Sequence, residues 1–171
     1  MRFVVLGGDN VLYSYENEFL DRQLGPGHGR SFRDWVMEHE QADRSCFVFP
    51  GLVGYATYSR YVNDMDLCLY PLQFGSANWG LFELLGRGRV VIASNRCFVP
   101  EVITHGDNGF LCDYDDVDSW VARTLEILDH PDRFRPIGET ARQMSARYSI
   151  DRVAEQFLTL CERVIATRIR G

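Results

Sequence analysis

The 171-residue chain reads as an α/β protein: a doubly wound (Rossmann-like) parallel sheet of about five strands with a helical C-terminal tail. Three observations predict this. Short continuous apolar runs, Arg2–Leu6 and Val90–Ala93 among them, suit strands buried on both faces. These runs end in glycine, proline, serine or asparagine, which marks loops at their carboxyl ends. Between them lie segments with apolar residues at helical spacing, and strands alternating with helices argue for a parallel sheet. The length predicts a single domain over residues 1–171.

Arg2–Leu6 is the first strand and runs into Gly7-Gly8-Asp9. Asp9 to Arg30 has no sustained period and carries Gly25-Pro26-Gly27, so it reads as a long loop. Ser31 is placed to cap a helix from Phe32 to about Glu40, in which Phe32, Trp35 and Val36 share a face. Cys46–Phe49 is a strand closed by Pro50-Gly51, followed by a helix from Tyr55 to about Asn63. Leu67–Tyr70 is a strand stopped by Pro71, and Gly80–Leu85 is the heart of the next helix. Val90–Ala93 is a strand closed by Ser94-Asn95, and Val99–Thr104 a short helix beginning near Pro100. Asp107-Asn108-Gly109 signals a turn before a short strand at Phe110–Cys112. Helices follow at about Val117–Leu128, Asp132–Ala146 and Asp151–Arg168. The last carries a stripe of Val153, Phe157, Leu160, Cys161 and Val164, the spacing expected of a core-packing face.

Composition narrows the function. Hydrophobic residues at 46% and charged residues at 25% exclude a disordered or coiled-coil chain. A net charge of −6 disfavours a nucleic-acid partner. All 18 basic residues are arginine, so a Walker A lysine, a Schiff-base lysine and the Tyr-x-x-x-Lys pair of a sugar-nucleotide epimerase are all absent. The five cysteines lie far apart and read as free thiols of a reducing compartment. No apolar run reaches the length of a membrane span, and a cytoplasmic protein is expected. Gly7-Gly8-Asp9 lacks the dinucleotide spacing, no nucleophile elbow occurs, and the four histidines have no metal-ligand spacing. Neither a cofactor nor a metal is expected.

The informative segment is Tyr70–Asn95. A strand ends at Pro71, and a loop with Gly75, Ser76, Ala77 and Asn78 leads into a helix holding Trp79, Gly80, Leu81 and Glu83. Ligands of a doubly wound sheet sit outside the carboxyl ends of strands, where a helix start offers amides and positive dipole to an anion. At about 100° per residue, Glu83 falls opposite the stripe of Leu81, Phe82, Leu84 and Leu85, with Trp79 one turn earlier on the same side. Spacing leaves two readings of Glu83 open: a carboxylate chelating two ribose hydroxyls, or a solvated ion pair with Arg87 four residues on.

Six motifs in order then carry a resemblance. They are Phe49-Pro50-Gly51; Asp66 to Pro71; Glu83; Gly88-Arg89-Val90-Val91-Ile92-Ala93-Ser94; Pro100-Glu101-Val102-Ile103; and Gly106-Asp107-Asn108-Gly109-Phe110-Leu111, with Leu6-Gly7-Gly8-Asp9 ahead of the six. Together they resemble the C-terminal, donor-binding domain of the GT-B glycosyltransferases of family 4, or group 1. The resemblance implies a retaining transfer of sugar from a UDP- or GDP-sugar to an acceptor glycan, lipid or small molecule. By it, Glu83 takes the place of the second Glu of a Glu-x7-Glu element and binds the donor ribose. The amides of Asn78, Trp79, Gly80 and Leu81 would face the diphosphate, Gly75 and Ser76 the donor sugar, and Gly51, Leu52 and Val53 the base.

The chain departs from the pattern where the first Glu falls on Gly75 and the glycine before the helix on Asn78. It also lacks the first strand–helix unit of the usual domain, whose strand would lie between Arg2–Leu6 and Leu67–Tyr70. Those two strands are therefore expected to pair directly or to leave a gap, with direct pairing preferred because an open inner edge invites aggregation. The acceptor is expected to bind through an absent N-terminal domain, so no catalytic residue is named and the chain alone is expected to be inactive. Membrane association of the parent is compatible with the family but not indicated by these residues. The competing class is a degenerate, non-catalytic module that binds a nucleotide weakly, or a partner protein.

Overall fold

The computed structural model describes residues 1–8 and 15–169. Asp9, the last residue of the first expected turn, and the early part of the expected loop lie outside the described residues. The chain divides into two compact units, Met1–Tyr61 and Val62–Gly171.

In the first unit, β1 (Phe3–Leu6) pairs in parallel with β2 (Phe47–Gly51). Phe3 lies opposite Phe47, and their rings stack at 5.1 Å. Three helices belong wholly or partly to this stretch: α1 (Tyr15–Leu24), α2 (Phe32–His39) and α3 (Tyr55–Asp64). Ser31 caps α2 as expected, its Oγ accepting from the Asp34 amide at 3.1 Å.

The helix α1 replaces part of the expected loop. Its ten residues carry few apolar side chains, which hides the period, but Phe19 and Leu20 are packed. Leu20 is fully buried, and the Phe19 ring meets Trp35 edge-on at 5.0 Å. Tertiary burial, not local pattern, holds this helix.

The second unit is built on a parallel sheet of order β3-β4-β5, with β3 at Cys68–Tyr70, β4 at Val91–Ser94 and β5 at Phe110–Cys112. Every residue of β4 is buried, which suits a central strand covered on both faces. Around the sheet stand α4 (Trp79–Gly86), α5 (Val99–Val102), α6 (Val117–Asp129), α7 (Pro131–Ser145) and α8 (Ile150–Ile169). One core cluster joins Val90, Ile92, Phe110 and Cys112 to Ile127 of α6 and Phe134 of α7. The alternating parallel architecture read from the sequence is present, as is the helical tail.

Two expectations are corrected. The described strands form one sheet of two and one of three, and neither contains a β1–β3 pair. The α8 stripe is not a core face. Val153, Phe157, Leu160 and Val164 are all about half exposed or more, with Phe157 at 64%. Helical spacing reports that a face is apolar and says nothing of what covers it.

Candidate functional site

The loop leaving β3 and the first turn of α4 form the candidate site. Pro71 stops β3, and the chain turns at once, the Leu72 amide donating to the Tyr70 carbonyl at 3.0 Å. The Leu72 carbonyl accepts the Ser94 hydroxyl at 2.5 Å, across from the end of β4. Three residues on, Gly75 has φ +147°, a conformation that L side chains rarely adopt, with open space except for the Leu72 side chain.

Asn78 is the N-cap of α4, with extended backbone and its Oδ1 accepting from the Gly80 amide at 3.1 Å. Its Nδ2 donates to the Tyr70 hydroxyl, tying the cap to the end of β3. Burial pushes the Tyr70 phenol up, and the Asn78 contact partly offsets this. A Cβ on Gly80 would stand 3.2 Å from Asn78 Oδ1, so glycine leaves the cap room. The helix geometry gives the amides of Trp79, Gly80 and Leu81 no intrahelical partner. Asn78 takes the middle one, and the flanking two point from the helix start.

Of the residues expected at the diphosphate, Asn78 and Trp79 are exposed, Gly80 half-buried and Leu81 buried. Trp79 is 82% exposed. Gly75 and Ser76 lie in the same exposed loop. Glu83 follows one turn into α4, so these residues belong to a single loop-and-helix element. Gly51, Leu52 and Val53 belong to the first unit. Gly51 has φ +74°, Leu52 is 81% exposed, and a Cβ on Gly8 would stand 3.2 Å from Leu52 Cγ.

Glu83 is more enclosed than the helical wheel implies. Its side chain is 23% exposed, and Arg87 donates to Oε1 from Nε at 3.0 Å and from Nη2 at 2.8 Å. Arg87 is itself anchored, its Nη1 donating to Asn63 Oδ1 at 3.0 Å. Arg89 holds the same stretch by donating to the Asn63 carbonyl at 2.9 Å. Glu83 lies off the apolar stripe, and the ion pair with Arg87 that the i, i+4 spacing allowed is present, although partly buried and not freely solvated.

Three contributors to the site escaped sequence reading: Tyr70, Ser94 and the Asn63 anchor. Ser94 alone left a signal, as a hydroxyl ending an otherwise apolar strand. Among the described residues no group of three or more His, Cys, Asp or Glu side chains is gathered as for a metal, and no helix is long and apolar enough to cross a membrane.

The family described as glycosyl transferases group 1 matches residues 23–130. The chain is 28% identical over 96 residues to an N-acetyl-alpha-D-glucosaminyl L-malate synthase of Bacillus anthracis, covering 56% of this chain and 25% of that protein. It is 24% identical over 101 residues to an uncharacterized glycosyltransferase of Haemophilus influenzae, covering 58% and 28%. Among solved structures, sucrose-phosphate synthase from Thermosynechococcus elongatus superposes with a TM-score of 0.72 at 18% identity, covering 97% of this chain and 46% of that one. Anabaena HepE, solved in complex with UDP and glucose, gives 0.71 at 14% identity, covering 95% and 40%. The chain thus spans about a quarter of the curated relatives and under half of the structures, and the structural likeness speaks for the fold alone.

Proposed function

The chain belongs to the group 1 glycosyl transferases, and from that premise we propose that it is the donor-nucleotide half of a retaining sugar transferase. The donor is a UDP- or GDP-sugar, and the acceptor a glycan, lipid or small molecule held by a further domain. The observation that carries this reading is the loop-and-helix element at the carboxyl end of β3. It sets the first-turn amides of α4 and, one turn later, the Glu83 carboxylate in one short stretch.

The chemistry follows from the parts. As the sugar–phosphate bond breaks, negative charge builds on the leaving diphosphate. The amides of Trp79 and Leu81 and the positive end of α4 stabilise that charge without reorganising. Glu83 chelates the ribose hydroxyls and fixes the nucleotide so that its phosphates meet those amides. Gly75, with no side chain, lets the sugar approach the loop backbone. The proposed reaction needs no resident cofactor or metal, because the helix start carries the counter-charge.

A second reading is a non-catalytic relative that binds a nucleotide weakly or a partner protein. Gly75 favours it, standing where the resemblance expects a carboxylate toward the sugar. A thermal-shift and NMR titration with UDP, GDP and ADP separates the donor reading from a relative that no longer binds a nucleotide. A site of millimolar constant, at about ten times that concentration, stabilises the fold by about 1.4 kcal/mol. That raises the melting midpoint by about 3 °C at this size. A response to UDP or GDP, with resonance shifts at Gly75–Leu81 and loss in Glu83→Ala, supports the donor reading. No response to any of the three nucleotides sinks it and leaves the binding-dead relative.

A further inference from the structure

Ser94 is fully buried at the last position of β4, yet it is polar and lies in a strand otherwise made of valine, isoleucine and alanine. A hydroxyl in that place costs desolvation unless it finds a partner, and its partner is unusual. It donates to the Leu72 carbonyl, outside the ladder and 22 residues back in the chain, at 2.5 Å. The β3–β4 ladder ends one position earlier, at Tyr70 opposite Ala93. Ser94 therefore extends the attachment of β3 to β4 by one side-chain bond beyond the sheet, at the point where the loop begins. Leu72 is thus held on both sides, its amide by Tyr70 and its carbonyl by Ser94. From Leu72 the chain has only five residues before the cap at Asn78, which is tied back to Tyr70. The loop bearing Gly75 and Ser76 is a short arch with both feet pinned.

We propose that Ser94 is a positioning residue for the donor site: its hydroxyl fixes Leu72 and so sets the loop Gln73–Ala77 and the first amides of α4 where a nucleoside diphosphate meets them. This rests on the donor reading of that loop given above. An alanine there would fill the strand equally well, since it removes only the oxygen. The hydroxyl serves the loop and not the packing of β4, and that difference is measurable.

The test compares the wild type with Ser94→Ala, Ser94→Thr and Ile92→Val. The last removes one carbon from the core cluster on the same strand and reports on stability alone. Amide hydrogen exchange is followed at Leu72 and Gly80, the two hydrogen-bonded amides that flank the loop, and UDP and GDP affinities are titrated. Losing one hydrogen bond should speed exchange at Leu72 and Gly80 about fivefold in Ser94→Ala and weaken nucleotide binding by a similar factor. Ser94→Thr, which keeps the hydroxyl, should restore both towards the wild type, and Ile92→Val should leave both as they were. Equal exchange in Ser94→Ala and wild type overturns the inference, as does the same loss in Ile92→Val. If the wild type binds neither nucleotide, the donor reading falls by itself, and loop exchange in Ser94→Ala alone decides whether Ser94 sets the loop.

Discussion

Gly138, in the middle of α7, rests directly on the backbone of Gly88, the residue that turns the chain from α4 towards β4. A Cβ built on Gly138 would penetrate the Gly88 carbonyl oxygen and stand 3.1 Å from its carbon. Gly88 is in the left-handed region at φ +69°, so the turn itself also requires glycine. The contact lets α7 approach α4 closely and place Phe134 in the core.

Gly138→Ala is therefore expected to destabilise, although alanine is the better helix former. Overpacking against backbone costs about 1–3 kcal/mol, which exceeds the gain of up to about 1 kcal/mol from propensity. The melting midpoint should fall by several degrees, roughly 2–4 °C per kcal/mol at this size. A midpoint equal to or above the wild type would show that α7 can shift away from Gly88 without loss.

Asn108 makes a comparable demand on chemistry. It is 2% exposed, its Oδ1 accepting from the Thr104 amide at 2.7 Å and its Nδ2 donating to the Val102 carbonyl at 3.0 Å. Asn108→Asp is isosteric but as a carboxylate cannot donate to Val102. It should cost about 1–3 kcal/mol at pH 7 and partly recover on acidification, when a protonated carboxyl can donate again. Urea melts of wild type and variant at pH 7 and pH 4.5 check this. A pH-independent difference would mean that Nδ2 contributes nothing.

The face of α8 gives a prediction in the opposite direction. Phe157→Glu would cost several kcal/mol on a core stripe, but Phe157 is 64% exposed, so the change should stay within about 0.5 kcal/mol in this chain. A large loss of midpoint would return α8 to the core. The same residue shows how much could be read without coordinates. Strand and helix identity were legible because burial on two faces and a 3.6-residue period leave marks on composition, as in Val91–Ser94 and α6. The helix α1 was not legible, because Phe19 is held by Phe32 and Trp35 of α2. The covering of α8 was not legible either, because an apolar stripe has the same spacing whether or not something lies on it. At the site, the helix start followed from local rules, whereas Ser94 reaching Leu72 and Asn63 anchoring Arg87 are long-range contacts with no local period.

Cys68, at the start of β3, sets an alkaline limit. Burial pushes its thiol from the ordinary 9.0 up to about 11, with the Arg89 charge opposing. The unfolded chain then loses this proton between pH 9 and 11 while the folded chain keeps it, so the unfolded state binds fewer protons and stability falls as pH rises through that window. Cys68→Ala should flatten the fall, though Tyr70 and Cys112, also raised by burial, keep part of it. Chemical denaturation from pH 8 to 11 reads the slope, and identical slopes in wild type and Cys68→Ala would remove Cys68 as its source.

The pair Glu83–Arg87 offers the sharpest division between ligand binding and structure. An i, i+4 ion pair on a partly exposed helix face contributes about 0.3–0.5 kcal/mol, and deleting Arg87 also removes its hydrogen bond to Asn63, worth about 1 kcal/mol more. Arg87→Ala is thus expected to melt below Glu83→Ala, by roughly 2–4 °C. Nucleotide binding should separate them. Glu83→Ala removes the proposed ribose ligand and should abolish the UDP or GDP response. Arg87→Ala leaves the carboxylate on its helix and should keep affinity within about threefold. Glu83→Gln, which retains an acceptor without the charge, should fall between them, because charge-assisted hydrogen bonds are about twice as strong as neutral ones. Titrations of the three variants beside their melting curves check the order. Equal loss in Arg87→Ala and Glu83→Ala would place the guanidinium, not the carboxylate alone, at the ligand. An undiminished response in Glu83→Ala would leave the pair as a helix clamp and move the ribose contact elsewhere.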